Sequence, residues 1–265
     1  MPDLARTSYL VVATPRSGST LLCETLRASG VAGNPLEHFE VFRHSSQPRQ
    51  PREYFDGVQD EDVLGLLSAL DPPRPDPEPS ADWWARIQAE GRTDNGVWGG
   101  KLMWNHVDDL LGRARELDAV PDGADLDATL TALFGDDLKL VYVTRPDKVA
   151  QAVSLWKAVQ TQTWRAGRGT ASAEARYAFA GVDHLVGQLT EQDAAWRDWF
   201  AATGREPHTV SYDTLAADPA ATVGEVLRVL GLPDDDVPAP ATERQGDARS
   251  AEWADRYRRE REAAA

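Results

Sequence analysis

One uninterrupted run of apolar positions and three looser strand-like stretches punctuate the chain. In residues 8–14, Tyr9, Leu10, Val11, Val12 and Ala13 follow one another without polar alternation, the pattern of a strand buried on both faces in a parallel sheet. Residues 97–103 and 138–144, each with one lysine among apolar residues, look like further inner strands, and 208–212 is a shorter, weaker one. After the first run, Leu21, Leu22, Thr25, Leu26 and Ala28 share one helical face that stops at Gly30. A further helix is predicted from Pro146, a good first-turn residue, with Val149, Val153, Trp156 and Val159 along one face up to about Thr163. Residues 250–262 mix Arg and Glu at helical spacing around Trp253 and Tyr257, which are four apart and predict a docked helix. Strands alternating with helices predict an α/β fold: a three-layer parallel sheet flanked by helices, with ligands at the carboxyl ends of its strands.

From about residue 42 to 96 the periodicity loosens. The proline-rich residues 71–79 exclude regular helix or inner strand, because each ring nitrogen lacks an N–H. This stretch reads as a mainly helical and loop insertion in one domain spanning residues 1–265, since a chain of 265 residues is near the size at which single cores stop growing. The acidic stretch from Asp56 to Asp82 reads as solvated surface.

Charge narrows the choice of partner. A net charge of −15 argues against a nucleic-acid wrapper. The single cysteine, Cys23, excludes an internal disulfide framework and a cysteine-based zinc site, and gives a cytoplasmic address as the default. Cys23 itself reads as a small core residue. The apolar run at residues 9–13 is too short for a membrane span. His44, His106, His184 and His208 show no metal-ligand spacing, so no metal is expected. Trp196 and Trp199, three apart, indicate core or subunit contact.

Two features point to an anion. Arg16-Ser-Gly-Ser-Thr20, between the first strand and its helix, offers backbone N–H groups and a positive helix end to a phosphate, although the same residues also suit a tight turn without a ligand. A Walker-type loop needs glycine at both ends of a longer loop and Lys before Ser/Thr, which residues 14–20 lack, so an ATP-dependent kinase loses ground. Arg145 stands at the exit of the third strand, with Ser154 nine residues later. From 145 to 168 the charges are Arg145, Lys148, Lys157, Arg165 and Arg168 against Asp147 alone, a basic island in an acidic chain.

Taken together, these residues resemble the sulfotransferases that use 3′-phosphoadenosine-5′-phosphosulfate (PAPS), and within them the Stf0-type family of actinobacterial trehalose 2-sulfotransferases. The resemblance rests on Arg16-Ser-Gly-Ser-Thr-Leu-Leu22, Leu26-Arg-Ala28, Gly30-Val-Ala-Gly33, residues 95–105, Arg145-Pro-Asp147, Gln151-Ala-Val-Ser154, Ala158-Val-Gln-Thr161, Ser250, Trp253 and residues 255–259. It covers nearly the whole chain. It implies a P-loop-like sulfotransferase fold, PAPS as donor co-substrate without a metal, and a homodimer. Arg16, Ser17, Gly18, Ser19 and Thr20 would hold the 5′-phosphosulfate, and Arg145 and Ser154 the 3′-phosphate. Arg244-Gln245-Gly246 looks like the family's late nucleotide-closing element, with Gln for Lys.

Sulfuryl transfer to a hydroxyl needs positioning, charge balance on the leaving phosphate and one proton acceptor. Many sulfotransferases place a His two positions after a strand-end Lys; here Lys101 is followed by Leu102 and Met103, which takes no proton. The family motif instead puts the general base at Glu37, with Arg16 and Lys101 beside it among the catalytic groups. His38 and Glu40 are rival bases, and Lys101 reads equally as a structural ion-pair partner. Residues Pro15, Asn34, Pro35, Leu36, Glu37, His38, Phe39, Glu40, Arg49 and Tyr54 are the expected acceptor pocket, with the 42–96 insertion contributing. Several of these depart from the trehalose-enzyme pattern: Pro15 stands for Gln, Asn34 for Glu, Leu36 for Gln, His38 for Phe and Glu40 for Gln, with Arg49 and Tyr54 near positions of Pro and Trp. The expected acceptor is therefore a hydroxylated carbohydrate or glycoside, with trehalose the first guess by family. A nucleotide-dependent kinase and a non-catalytic protein that binds 3′,5′-ADP (PAP) are the alternatives.

Overall fold

In the computed structural model, the described residues are 7–40, 50–67, 78–164, 174–234, 237 and 248–264. The four expected strands form, all parallel, as β1 (Thr7–Ala13), β2 (Val97–Met103), β3 (Lys139–Thr144) and β4 (His208–Ser211), in the order β2-β1-β3-β4. β1 is central, with Tyr9 opposite Gly99 on one side and Lys139 on the other. Its residues 9–13 are wholly shielded from solvent, and the two-residue period of a strand divides them between two cores.

Leu10 and Val12 face a core built with α3 (Ser80–Glu90), α4 (Val107–Ala114), α5 (Leu126–Phe134) and α7 (Phe179–Thr203), to which Trp83, Leu110, Leu130 and Trp196 contribute. Tyr9, Val11 and Ala13 face α1 (Ser19–Ala28) and α9 (Pro219–Leu230) through Leu22, Leu26, Val223 and Leu227. Helices therefore cover both faces, completing the three layers the pattern predicts. A third cluster joins α6 (Lys148–Thr161) to α7 and α10 (Ala248–Ala264), where Trp156, Leu185, Trp253 and Tyr257 meet. The short α2 (Glu61–Leu64) and α8 (Tyr212–Ala217) complete the set.

Two details differ from the expected pattern. Ala28, the last residue of α1, is exposed and Cys23 is buried instead, because the 3.6-residue turn sets Cys23 beside Leu22 and Leu26 and carries Ala28 to the opposite side. The helix expected from Pro146 starts at Lys148, since the Asp147 side chain accepts from the Ala150 N–H and caps it. It ends at Thr161, where Gln162 turns left-handed. The expected insertion supplies a 3-10 turn (Pro51–Phe55), α2 and α3; residues 41–49 and 68–77 lie outside the described set. Asp56, Asp60, Glu61, Asp62 and Asp82 are exposed, as a solvated acidic surface requires.

Candidate active site

The loop after β1 is built from two left-handed residues. Arg16 has φ 62° and Gly18 φ 96°, so the chain reverses within a few residues and enters α1 at Ser19. A side chain at position 18 would place its Cβ 2.7 Å from the Tyr212 ring, so only glycine serves there. No side chain caps α1, and the Ser17 hydroxyl is buried without a hydrogen-bond partner. A buried orphan hydroxyl beside uncapped helix amides is a cradle suited to an anionic oxygen.

Around this loop the structure gathers the predicted basic residues. The Arg16 Nε donates to Ser154 Oγ at 3.0 Å, and its Nη1 to the Trp164 carbonyl at 2.8 Å. Arg145 donates to the Arg16 carbonyl at 3.3 Å and lies 4.2 Å over the Tyr212 ring. Burial, and then the Arg145 charge, pull the Arg16 pKa down. Two cations held this close favour an anion between or beside them.

The segment expected to frame the acceptor, residues 34–40, returns along β2. Gly33, at φ 68°, lies so close to the strand that a Cβ would sit 2.6 Å from the Gly99 nitrogen and 2.8 Å from the Gly91 oxygen. Leu36 then bridges Gly100 in parallel, and its carbonyl accepts the Lys101 N–H at 2.9 Å. This register delivers Glu37 to Lys101, whose ammonium touches the Glu37 carboxylate and donates to Thr20 Oγ1 at 3.2 Å. One buried lysine thus joins the segment carrying Glu37 to the first turn of α1.

Burial alone would raise the Glu37 pKa. The Lys101 charge, hydrogen bonds with the Glu40 and Lys101 side chains and the His106 charge instead bring it down to about 2. Lys101 is pushed up: its desolvation is outweighed, chiefly by the Glu37 charge. Both groups are therefore ionised at neutral pH. The ion-pair reading of Lys101 is what the geometry displays, at a position that also adjoins the loop.

The other predicted residues divide. His38 is buried, its Nε2 3.2 Å from the Asn34 carbonyl and its ring against Trp98; burial lowers its pKa. Phe39 is 1% exposed and packs on Trp83 inside the core instead of facing a ligand. Asn34 is tied by its side chain to the Glu90 carbonyl, and Pro35 is buried. Tyr54 packs on Trp164, whose carbonyl holds Arg16, so it stands on the loop's side. Arg49, Arg244, Gln245 and Gly246 lie outside the described residues, as do Arg165, Arg168 and His44. Three contributors escape the sequence pattern: Gln151 and Tyr212 against the loop, and His106 near Glu37. For Tyr212 the available signal was its place at the carboxyl end of β4, the end from which Arg16 and Arg145 also emerge.

Elsewhere, Cys23 is buried and its thiol is pushed up to about 12, mainly by burial, which fits its reading as a core residue. A cavity of about 610 Å³ opens beside Tyr142, Thr144, Lys148 and Asp193 and includes none of the predicted site residues. Among the described residues, no cluster of His, Cys, Asp or Glu is placed to hold a metal ion, and no helix is long and apolar enough to cross a membrane.

A parallel α/β sheet with an uncapped helix start and an orphan hydroxyl after its first strand, and a Lys-Glu pair beside it, is an arrangement suited to a group-transfer enzyme. A family model described as Stf0 sulphotransferase matches residues 8–260. The chain belongs to that family and is a sulfotransferase. It is 46% identical over 258 residues to a trehalose 2-sulfotransferase of Mycolicibacterium smegmatis, covering 96% of this chain and 95% of the relative. It is 45% identical over 255 residues to a trehalose 2-sulfotransferase of Mycobacterium tuberculosis, covering 95% and 94%. The crystal structure of a sulfotransferase from Alicyclobacillus acidocaldarius matches over 94% of this chain and 90% of its own, at 15% identity and a TM-score of 0.49.

Proposed function

We propose that the enzyme moves the sulfuryl group of PAPS to a hydroxyl of trehalose or a related sugar or glycoside, with Glu37 as general base. The observation that carries this reading is Lys101, which contacts Glu37 on one side and Thr20 of the loop-helix unit on the other. It brings a carboxylate and an anion cradle within one side chain of each other.

Ser17 with its orphan hydroxyl, together with Gly18, Ser19 and Thr20, suits the 5′-phosphosulfate. Arg16 shares the 5′-phosphosulfate with them, while Arg145 and Ser154, each hydrogen-bonded to Arg16, suit the 3′-phosphate, with Arg244 and Gln245 expected to close over the nucleotide. PAPS supplies the activated sulfuryl group; the protein's part is to orient it, balance charge and take the proton. Glu37 at a pKa of about 2 is ionised but weakly basic. A negative sulfuryl group near Lys101 would share that ammonium and make Glu37 a better proton acceptor.

The acceptor half of the proposal rests on the two trehalose 2-sulfotransferases and on the segment 34–40 that frames Glu37. In this reading the chain is one sulfotransferase domain whose insertion, residues 42–96, contributes to the acceptor pocket. Support comes from the end of α3, where the Gly91 carbonyl accepts from Asn34 and Gly99. The proposal includes a cytoplasmic homodimer; among the described residues Val229 is the one large hydrophobic side chain that stands well exposed, so a contact through the described surface would be largely polar.

The test is calorimetric titration of PAP into wild type and Arg145→Ala, followed by PAPS with trehalose and mass spectrometry of the product. Loss of one charge-assisted contact should weaken PAP by roughly 10- to 150-fold. Sulfated trehalose would support donor and acceptor together. PAP binding without that product moves the acceptor to other glycosides, and no PAP binding overturns the donor assignment.

A further inference from the structure

Three acceptors line up where β1 ends: the Ala13 carbonyl, the Thr14 hydroxyl and the Pro15 carbonyl. Each is held by a side chain from a helix distant in sequence. Trp196 of α7 donates to the Ala13 oxygen at 2.9 Å. Gln151 of α6, fully buried, donates through Nε2 to Thr14 Oγ1 at 2.8 Å and to the Pro15 oxygen at 2.7 Å. The next residue is Arg16, which takes the left-handed conformation and opens the loop.

The orientation of the Gln151 amide is dictated from both ends. A proline carbonyl only accepts, so the atom facing it must be the NH2. At the other end the Lys148 ammonium, which only donates, lies 3.3 Å from Oε1. Lys148 is in turn fixed by Asp193 at 3.1 Å, and Asp193 accepts from Tyr142 and Thr144 at 2.5 and 3.0 Å. A chain of polar groups thus runs from α7 through α6 to the peptide that precedes the anion cradle.

We propose that Gln151 is a positioning residue for sulfuryl transfer. It clamps residues 14–15 so that Arg16 keeps its left-handed turn and the loop keeps its shape for the donor, while Lys148 and Asp193 keep its amide from flipping. The inference rests on the donor reading given above, and it concerns the donor half alone.

Gln151→Leu and Lys148→Met, singly and together, test it by PAP affinity, steady-state kinetics against both substrates, and melting temperature. In Gln151→Leu, PAP affinity should fall about tenfold or more and the KM for PAPS should rise, with the acceptor KM within about twofold of wild type. Lys148→Met, which leaves the buried amide in place, should reproduce part of that donor-specific loss, and the double variant should bind PAP no worse than Gln151→Leu. A purely structural role would lower melting temperature without the split between donor and acceptor. If Gln151→Leu does not fold, a Lys148→Met enzyme with wild-type PAP affinity and kinetics overturns the proposal by itself. Wild type that binds PAP while all variants match it sinks this inference and leaves the donor reading standing; wild type that does not bind PAP sinks both.

Discussion

Replacing Glu37 by Gln removes the carboxylate that touches Lys101 and leaves the ammonium in a site where the lysine side chain is 4% exposed. Breaking a buried pair from one side costs about 3–5 kcal/mol. Because the Glu37 side chain is 26% exposed, the low end applies, about 3 kcal/mol. The direction of the Glu37 shift agrees, since the Lys101 charge holds the carboxyl well below the usual carboxylate range and so favours the folded, ionised pair. For a protein of this size that is a fall of roughly 6–12 °C in melting temperature. Lys101→Met should also destabilise, and the double variant should regain at least about 1 kcal/mol over the sum of the two losses. Activity should behave differently: turnover in Glu37→Gln falls roughly 10²- to 10⁴-fold and stays low in the double variant, since restored packing does not restore a proton acceptor. Calorimetry and a PAPS-dependent transfer assay on all four proteins read both quantities. A Glu37→Gln variant that melts like wild type, or a double loss equal to the sum, would refute the coupling; turnover within about tenfold of wild type would refute the base assignment. The pH dependence has a fixed sign. The depressed Glu37 pKa gives stability that is present above pH 4.5 and is lost as pH falls through about 2. The raised Lys101 pKa gives stability that is full below 10.5 and is lost as pH rises past its folded value.

Gly18→Ala must adopt φ near 96° with its Cβ 2.7 Å from Tyr212, so it should lose about 1–3 kcal/mol of stability together with PAP affinity, read by melting and titration. Cys23, 5% exposed with its pKa pushed up to about 12, should react with a disulfide reagent at pH 8 roughly 10³-fold more slowly in the native protein than in denaturant. On α10, Trp253→Ala should destabilise by about 3–5 kcal/mol, because the ring is buried against α6 and α7. Arg258→Ala, which breaks an exposed pair with Asp147, should change stability by under about 1 kcal/mol.

The strands were legible because β1 and β3 are enclosed on both sides, and a short, largely apolar run has little alternative in an α/β sheet covered by helices on both faces. The start of α6 was legible to within two residues; Pro146 suits a first turn, yet Asp147 caps the Ala150 N–H and sets the beginning after itself, which propensity alone does not decide. For the site, the loop at residues 16–20 stood out through its small residues and its place between strand and helix. The Lys101–Glu37 contact did not, since the partners are far apart in sequence and meet only because Gly33 lets the chain lie against β2. Gln151 was hidden for a related reason. A glutamine on the first turn of a helix is ordinary until the fold puts the Pro15 carbonyl beneath it. Phe39 shows the reverse: its neighbours in sequence suggested a ligand-facing ring, while burial against Trp83 takes it into the core.

The way residues 34–37 are fastened to β2 bears on how this enzyme can diversify. Asn34 is held through its backbone N–H by the Gly91 carbonyl, and Leu36 through its bridge to Gly100 and its carbonyl bond to Lys101. These are main-chain attachments, indifferent to most side-chain identities. Point substitutions at 34, 36, 38 and 40 can therefore remodel the surroundings of Glu37 while the carboxylate stays on Lys101. A one-residue insertion or deletion here would reverse which side chains face Lys101 and abolish the pair at a stroke. Lineages of this enzyme should consequently explore new acceptors by exchanging residues along this segment and keep its length constant.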